Sequence, residues 1–271
     1  MAQAVSRAIV TVAASGTRQF GPYMERFKRT MLEFGGADYL KIWHREWPPG
    51  SPDHQTCHYA FKVHAVCEAW ARGHTSILWF DSSCSAFAPL TPLGERLERD
   101  GYLFVDDANA LGKWSSDHSL ATFGVTRDEA MYLRLGCGTC WGVDLRDERS
   151  QTFVKRLREY ATPEHFNGTH RSRLDGQPMH PRPGTEGWVV SHDERVWGHR
   201  SDEVYTTLLT RELGMTKRDQ QEFVGGSGSK TATACVRSGY DIVIPDRPAS
   251  GPSPPRHSNG LLDYGTLYDV D

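Results

Sequence analysis

The chain has 271 residues, of which 38% are hydrophobic and 24% are charged, and these proportions are ordinary for a folded globular domain. A formal net charge of -3 gives no overall attraction to nucleic acid or to anionic membranes, although a local basic surface is compatible with it. No apolar run approaches the roughly 18–20 residues that span a bilayer, and the six scattered cysteines favour a reducing, cytoplasmic setting over a disulfide framework.

The first part of the chain alternates between strand and helix patterns. Residues 8–13, 39–43 and 76–80 form short apolar runs typical of buried strands. Between them, residues 22–34 and 61–72 carry apolar side chains at helical spacing. This alternation predicts an α/β fold with a mainly parallel sheet and helices on both faces.

The middle of the chain is less regular. Thr126, Asp147 and Ser201 precede apolar periodic segments and are predicted to cap helices at their N-termini. Further helices are predicted over 92–100, after 127, over 147–160 and over 201–213, and further strands over 102–105, 140–143 and 188–190.

Two segments have the composition of loops or linkers. Residues 162–187 are rich in Pro, Gly, His and Arg without periodicity, which predicts a long functional or mobile loop. Beyond Phe223, Gly/Ser-rich and Pro-rich stretches bracket a short strand candidate at 240–244. The sequence thus predicts a single domain over 1–223 and an extension over 224–271, either flexible or wrapped across that domain.

The strand over 77–80 ends on an acid, Asp81, followed by Ser82 and Ser83. Strands of α/β folds deliver metal or phosphate ligands at this edge of the sheet. Asp81 would then hold a divalent cation that neutralises a diphosphate, with Ser83 adding a second oxygen directly or through water. The alternative is that Asp81 merely caps the next turn.

A lysine, Lys62, lies in the first turn of the helix that precedes the Asp81 strand. There its ammonium can reach a phosphate or the edge of a base as a point charge. The alternative is an ordinary solvated lysine on a helix surface.

Two adjacent acids, Asp202 and Glu203, begin the helix over 201–213. Either could act as a general base, or both could simply stabilise the helix macrodipole. The basic pair His199-Arg200 just before them favours a site with bound phosphate.

Other candidate sites are weaker. Cys137 and Cys140 have CxxC spacing but no second ligand pair, so zinc is disfavoured. The segment 155–182 is basic, and either it is a solvated loop or it binds a polyanionic acceptor such as DNA. Trp114 and Trp188 are among the tryptophans in loops or at element ends, where they can stack on a sugar or base.

The order of these features resembles the GT-A-type, nucleotide-sugar glycosyltransferases. The resemblance covers roughly residues 8–214. It is carried by Val10 to Ser15, Tyr59 to Lys62, Glu68-Ala69, Ile77 to Ser82, Leu93, Gly101 and His199 to Glu203.

This resemblance implies a GT-A-like fold with a nucleotide-sugar donor at the C-terminal edge of the sheet, beside Thr11, Ala13, Lys62 and Asp81. It also implies that Asp202 faces the acceptor or the donor sugar.

The usual DxD of such families is reduced here to Asp81-Ser82-Ser83. The reduction puts strong binding of Mn²⁺ or Mg²⁺ at Asp81 in doubt. Lys62, Arg18 or Arg200 would then carry more of the diphosphate charge.

We therefore expect transfer of a sugar from a nucleotide-diphosphate sugar, with a UDP-sugar such as UDP-glucose first, to an acceptor hydroxyl. Inversion is expected, with Asp202 as the base, Glu203 as the second choice and His199 beside them. The acceptor is a saccharide or, alternatively, a hydroxymethylated pyrimidine such as 5-hydroxymethylcytosine in DNA. Rival interpretations are an inactive GT-A domain that binds a nucleotide or glycan and, more weakly, a nucleotidyltransferase. No membrane partner is expected, and the oligomeric state stays open.

Overall fold

The computed structural model describes residues 5–14, 20–86, 88–167 and 190–219. The proposed extension 224–271, the strand candidate 240–244, Arg18 and most of the predicted loop 162–187 lie outside these residues.

The described part of the chain alternates strands and helices for its first hundred residues and becomes more irregular afterwards. The strands are β1 Arg7–Ala13, β2 Tyr39–His44, β3 Ser76–Phe80, β4 Tyr102–Leu103, β5 Val105–Ala110, β6 Arg134–Gly136, β7 Cys140–Asp144 and β8 Arg218–Asp219. The helices are α1 Phe20–Phe34, α2 Ala60–Ala71, α3 Thr91–Asp100, α4 Asp117–Thr122, α5 Arg127–Tyr132, α6 Glu148–Tyr160, α7 Pro163–Phe166 and α8 Ser201–Glu212.

The main sheet has five strands in the order β2-β1-β3-β7-β4. β1 pairs in parallel with β2 and β3, whereas β7 runs antiparallel to both β3 and β4, so every strand except β7 points the same way. The predicted α/β class and mainly parallel sheet are confirmed. Because the chain passes from β1 to β2 on one side and then to β3 on the other, the carboxyl ends of β1 and β3 flank a topological switch point. Open α/β sheets bind their ligands at such points.

Helices cover both faces of this sheet, as predicted. Successive strand residues point to opposite faces, so Val10 and Trp79 pack into a core that includes side chains of α2, α6 and α8. Ile9 and Phe80 point the other way, into a smaller core with side chains of α1 and α3.

A second, three-stranded sheet with the order β6-β5-β8 was not predicted. The predicted single strand 102–105 is wrong, because the chain changes sheets at Phe104. This side chain is buried against Phe153, with 4.7 Å between ring centroids, and β4 before it pairs with β7 while β5 after it pairs with β6 and β8. The loop between β6 and β7, residues 137–139, passes the switch point.

Two of the three predicted helix caps are confirmed. Thr126 forms a reciprocal capping box with Glu129, and the side chain of Asp147 accepts hydrogen bonds from the first turn of α6. The prediction for Ser201 is wrong: α8 begins at Ser201 itself, in a left-handed conformation with φ 29°, and Arg200 holds the N-cap position.

The strand predicted over 188–190 is not observed at its one described residue, Val190, which is buried outside any strand. No helix in the described ranges combines the length and apolar character needed to cross a bilayer.

Candidate active site

A buried lysine joins the two acids that the sequence singles out. Lys62, 4% exposed, places Nζ 3.0 Å from Asp202 Oδ2 and 3.3 Å from Asp81 Oδ1. Nζ also donates a hydrogen bond of 2.9 Å to the main-chain oxygen of Gly138. Two carboxylate oxygens and one main-chain oxygen thus surround the ammonium. The alternative of a solvated helix lysine is therefore wrong.

The start of α2 is shaped to hold this ammonium. Tyr59, the N-cap residue, adopts a left-handed φ of 58°, and its ring centroid lies 4.8 Å from Lys62 Nζ. The Trp79 ring lies 5.8 Å from Nζ. Left-handed backbone at a bulky residue costs energy and persists only where its surroundings impose it, typically at functional sites. Both Tyr59 and Ser201 adopt it beside this cluster.

Asp81 follows β3 directly and is the most open member of the group, with 34% of its side chain exposed. Its Oδ1 accepts a hydrogen bond from the Trp79 indole at 3.2 Å in addition to the contact with Lys62. The following turn is closed by the Asp81 main-chain oxygen, which accepts from the Cys84 N–H at 2.9 Å. The side chain is thus directed to the lysine, and the turn-capping alternative is wrong.

Glu203 lies beside Asp202 in the first turn of α8 and has its own basic partner. Its Oε2 lies 3.2 Å from Nη1 of Arg200, and its Oε1 accepts the Gly138 N–H at 3.2 Å. The Arg200 guanidinium lies over the Trp114 ring, 4.4 Å from the centroid. The two acids are only 8% and 15% exposed. Stabilisation of the macrodipole does not by itself account for such specific, enclosed pairing.

Gly138, which the sequence pattern does not select, connects Lys62 and Glu203 through its main-chain groups. Its C=O accepts from Lys62 and its N–H donates to Glu203. A Cβ at this position would lie 2.8 Å from Glu203 Cγ, 2.9 Å from Asp202 Oδ2 and 3.1 Å from Lys62 Nζ. Only glycine lets the backbone approach so closely. The CxxC spacing around it drew attention to zinc, whereas the informative residue is the glycine between the cysteines.

Burial and charge shift the pKa values of the cluster. Burial alone disfavours the Lys62 ammonium, but Asp202 and Asp81 more than offset that effect and raise its pKa. Burial raises the pKa of Asp202, with Lys62 opposing the shift. Burial also raises the pKa of Glu203 to about 7, opposed by Arg200 and reinforced by Asp202. Two neighbouring carboxyls with raised pKa values suit proton transfer near neutral pH.

His199 does not join the charged cluster. It is fully buried, its Nδ1 accepts the Ser116 N–H at 3.3 Å, and its Nε2 donates to the His165 main-chain oxygen at 3.0 Å. Burial lowers its pKa to about 4, which keeps the ring neutral. In this position His199 fixes the segment that leads into α8, and its catalytic role stays a prediction.

The remaining predicted residues line the strand ends. Thr11 and Ala13 are buried on β1, and the Thr11 hydroxyl has no hydrogen-bond partner among the described residues. The main-chain oxygen of Ser83 accepts from Nη2 of Arg26 at 3.3 Å. Arg26, buried on α1, is a cation at the Asp81 turn that the helical pattern gave no reason to select.

The cluster does not fit the divalent cation predicted at Asp81. Mg²⁺ requires a near-octahedral shell of oxygens, and Mn²⁺ sites are likewise built from oxygen ligands. Here Lys62 Nζ occupies the position between the Asp81 and Asp202 carboxylates that such an ion would take. Over the described ranges, no group of three or more His, Cys, Asp or Glu side chains has a geometry that could hold a metal.

No protein-family model matches the sequence, and no curated protein matches it. Among solved structures, a glycosyltransferase involved in glycosylation of the major capsid of PBCV-1 is similar at 12% identity and a TM-score of 0.48, over 88% of this chain and 92% of that one. Mouse xyloside xylosyltransferase 1 in its apo form is similar at 10% identity and a TM-score of 0.46, over 92% of this chain and 99% of that one. Similarity at this level concerns the path of the chain and not its chemistry.

Proposed function

We propose that this protein transfers a sugar from a nucleotide-diphosphate sugar, with a UDP-sugar as donor, to an acceptor hydroxyl. The observation that carries the proposal is the convergence of Asp81 and Asp202 on the Lys62 ammonium. The two acids are far apart in sequence, yet they meet beside the switch point of the sheet, where open α/β folds bind nucleotides.

Asp202 is the base in this proposal. The acceptor oxygen forms a bond to the anomeric carbon, its proton passes to the Asp202 carboxylate, and the bond from that carbon to the diphosphate breaks. The nucleoside diphosphate leaves with the bonding electron pair, and the configuration at the carbon inverts. Burial raises the pKa of Asp202, which makes its carboxylate a stronger base than an exposed aspartate. Glu203, whose pKa is raised to about 7, is the second candidate.

The donor binds along the ends of β1 and β3. Thr11 and Ala13 face the nucleoside. The Thr11 hydroxyl finds no partner within the described part of the chain, which supports this placement because buried polar groups cost energy unless they find a partner. Lys62 and Arg200 supply positive charge for the diphosphate, and we assign Arg18 the same role. The proposed acceptor is a saccharide.

The experiment is a screen of nucleoside diphosphates and their sugars for thermal stabilisation, followed by a transfer assay. A ligand at about 100 times its Kd stabilises the folded state by about 2.7 kcal/mol, which a melting curve detects. Asp202→Asn should retain this stabilisation and lose transfer.

The matched control is Asp144→Asn. Like Asp202, Asp144 is a buried carboxylate with a basic partner, here Arg146, but it lies opposite Ser76 at the other end of the sheet, so its substitution should leave transfer intact. The acceptors are oligosaccharides and hydroxymethylated DNA, and transfer to DNA alone would replace the saccharide. Binding without any transfer would identify a nucleotide-binding module, and no binding of any nucleotide would refute the proposal.

A further inference from the structure

We propose that the Lys62 ammonium is the built-in cation of this site, so that the diphosphate binds without Mn²⁺ or Mg²⁺. The inference rests on the proposed function and replaces the divalent cation that the sequence predicts at Asp81. It is carried by the position of Lys62 Nζ between two carboxylates and by the enclosure around it.

A divalent ion would have to displace a cation that is already firmly held. Lys62 Nζ contacts Asp202, Asp81 and the Gly138 carbonyl at 3.0, 3.3 and 2.9 Å, so three oxygens already surround it. Gly138 closes over this group so tightly that a Cβ would lie 3.1 Å from Nζ. The charge itself is secure, since the neighbouring carboxylates raise the pKa of Lys62.

The three contacts of the ammonium are not equivalent. Asp202 is 8% exposed, whereas Asp81 is 34% exposed and makes the longest contact. The contact with Asp81 is therefore the one that a phosphate oxygen can replace from the open side. Ammonium–phosphate hydrogen bonds are charge-assisted and strong enough to compete with the carboxylate.

This exchange reverses the effect that a substitution of Asp81 is expected to have on diphosphate binding. If Asp81 were a metal ligand, removal of its charge would weaken binding of the diphosphate. If Asp81 competes with phosphate for Lys62, removal of its charge should leave binding unchanged or strengthen it, because a like charge is removed beside the diphosphate.

The first test is calorimetry of UDP with the full chain, in EDTA and in Mn²⁺. The wild-type Kd should agree between the two buffers within about threefold, and Asp81→Asn should bind UDP in EDTA at least as tightly as the wild type. Asp144→Asn, at the far end of the sheet, is the control and should not change the Kd. A loss of about tenfold or more in EDTA, or the same loss on Asp81→Asn, would overturn the inference.

The second test uses Mn²⁺ alone, followed by electron paramagnetic resonance of the free ion. Wild-type protein should leave the free-ion signal unchanged at equimolar Mn²⁺, and Lys62→Ala should reduce it by exposing two unneutralised carboxylates. Uptake by the wild type that disappears in Asp81→Asn would overturn the inference, and this comparison decides the matter even if Lys62→Ala does not fold. If UDP and its sugars bind under no condition, the proposed function fails, whereas the resonance result still judges the role of Lys62.

Discussion

Gly138→Ala should damage the charged cluster by steric means alone. The added methyl group would lie 2.8 Å from Glu203 Cγ and 2.9 Å from Asp202 Oδ2, closer than real Cβ contacts. Overpacking of this kind costs about 1–3 kcal/mol. For a chain of this size, each kcal/mol lowers Tm by about 2–4 °C, so the expected fall is about 2–12 °C. Because the displaced atoms belong to the cluster, UDP binding and transfer should fall as well.

Gly142→Ala provides a matched control on the adjacent strand. Its Cβ would meet Leu78 Cδ2 at 2.7 Å, equally tight but inside the apolar core. Both variants should lose similar stability in thermal melts, and only Gly138→Ala should lose UDP affinity in calorimetry beyond what its Tm explains. Equal loss of affinity in the two variants, or unchanged affinity in Gly138→Ala, would show that Gly138 does not pack against the UDP-binding site.

Three further predictions concern the charges and the buried histidine. Lys62→Met should destabilise the protein by about 3–5 kcal/mol in denaturant unfolding, because Asp202 is left buried without its partner. Adding Asp202→Asn should recover part of that loss, and strictly additive losses in the double variant would contradict the pairing of Lys62 with Asp202. The pKa of Glu203 is raised from its ordinary 4.5 to about 7, so its contribution to stability is fully present below about pH 4.5 and is lost as the pH rises through about 7. Glu203→Gln should therefore gain stability relative to the wild type across that window, and a pH-independent difference in unfolding free energy would contradict the shift. His199→Leu should cost about 1–3 kcal/mol for each of the two backbone groups left unpaired and, unlike Lys62→Met, should leave the Kd for UDP unchanged. A selective loss of transfer with unchanged melting in His199→Leu would instead support a catalytic role for His199.

Local pattern was sufficient for much of the fold. The β-α-β-α-β order up to Phe80 follows from apolar runs and helical spacing, and the caps at Thr126 and Asp147 follow from side chains that bond to their own first turn. The second sheet could not be found in this way. β6 has three residues and β8 has two, and such short strands are defined by partners distant in sequence rather than by a period of their own.

The residues of the site also differ in whether the sequence predicts them. Asp81 and Asp202 were selected because their element ends are visible in the sequence. The sequence does not predict the burial of Lys62, because that burial depends on an acid on α8 and a carbonyl on the loop before β7. A helix pattern places Lys62 in a first turn but does not reveal what covers it. The sequence does not single out Gly138 either, because the CxxC spacing of the cysteines around it is typical of a zinc site instead.

A crystal structure of the protein soaked with UDP in EDTA would show whether Lys62 holds the diphosphate. We predict electron density for the diphosphate outside the carboxyl ends of β1 and β3, with a phosphate oxygen within hydrogen-bond distance of Lys62 Nζ. Density elsewhere on the protein, or a diphosphate that enters only together with a metal ion bound to Asp81, would show that Lys62 is not the cation that binds it.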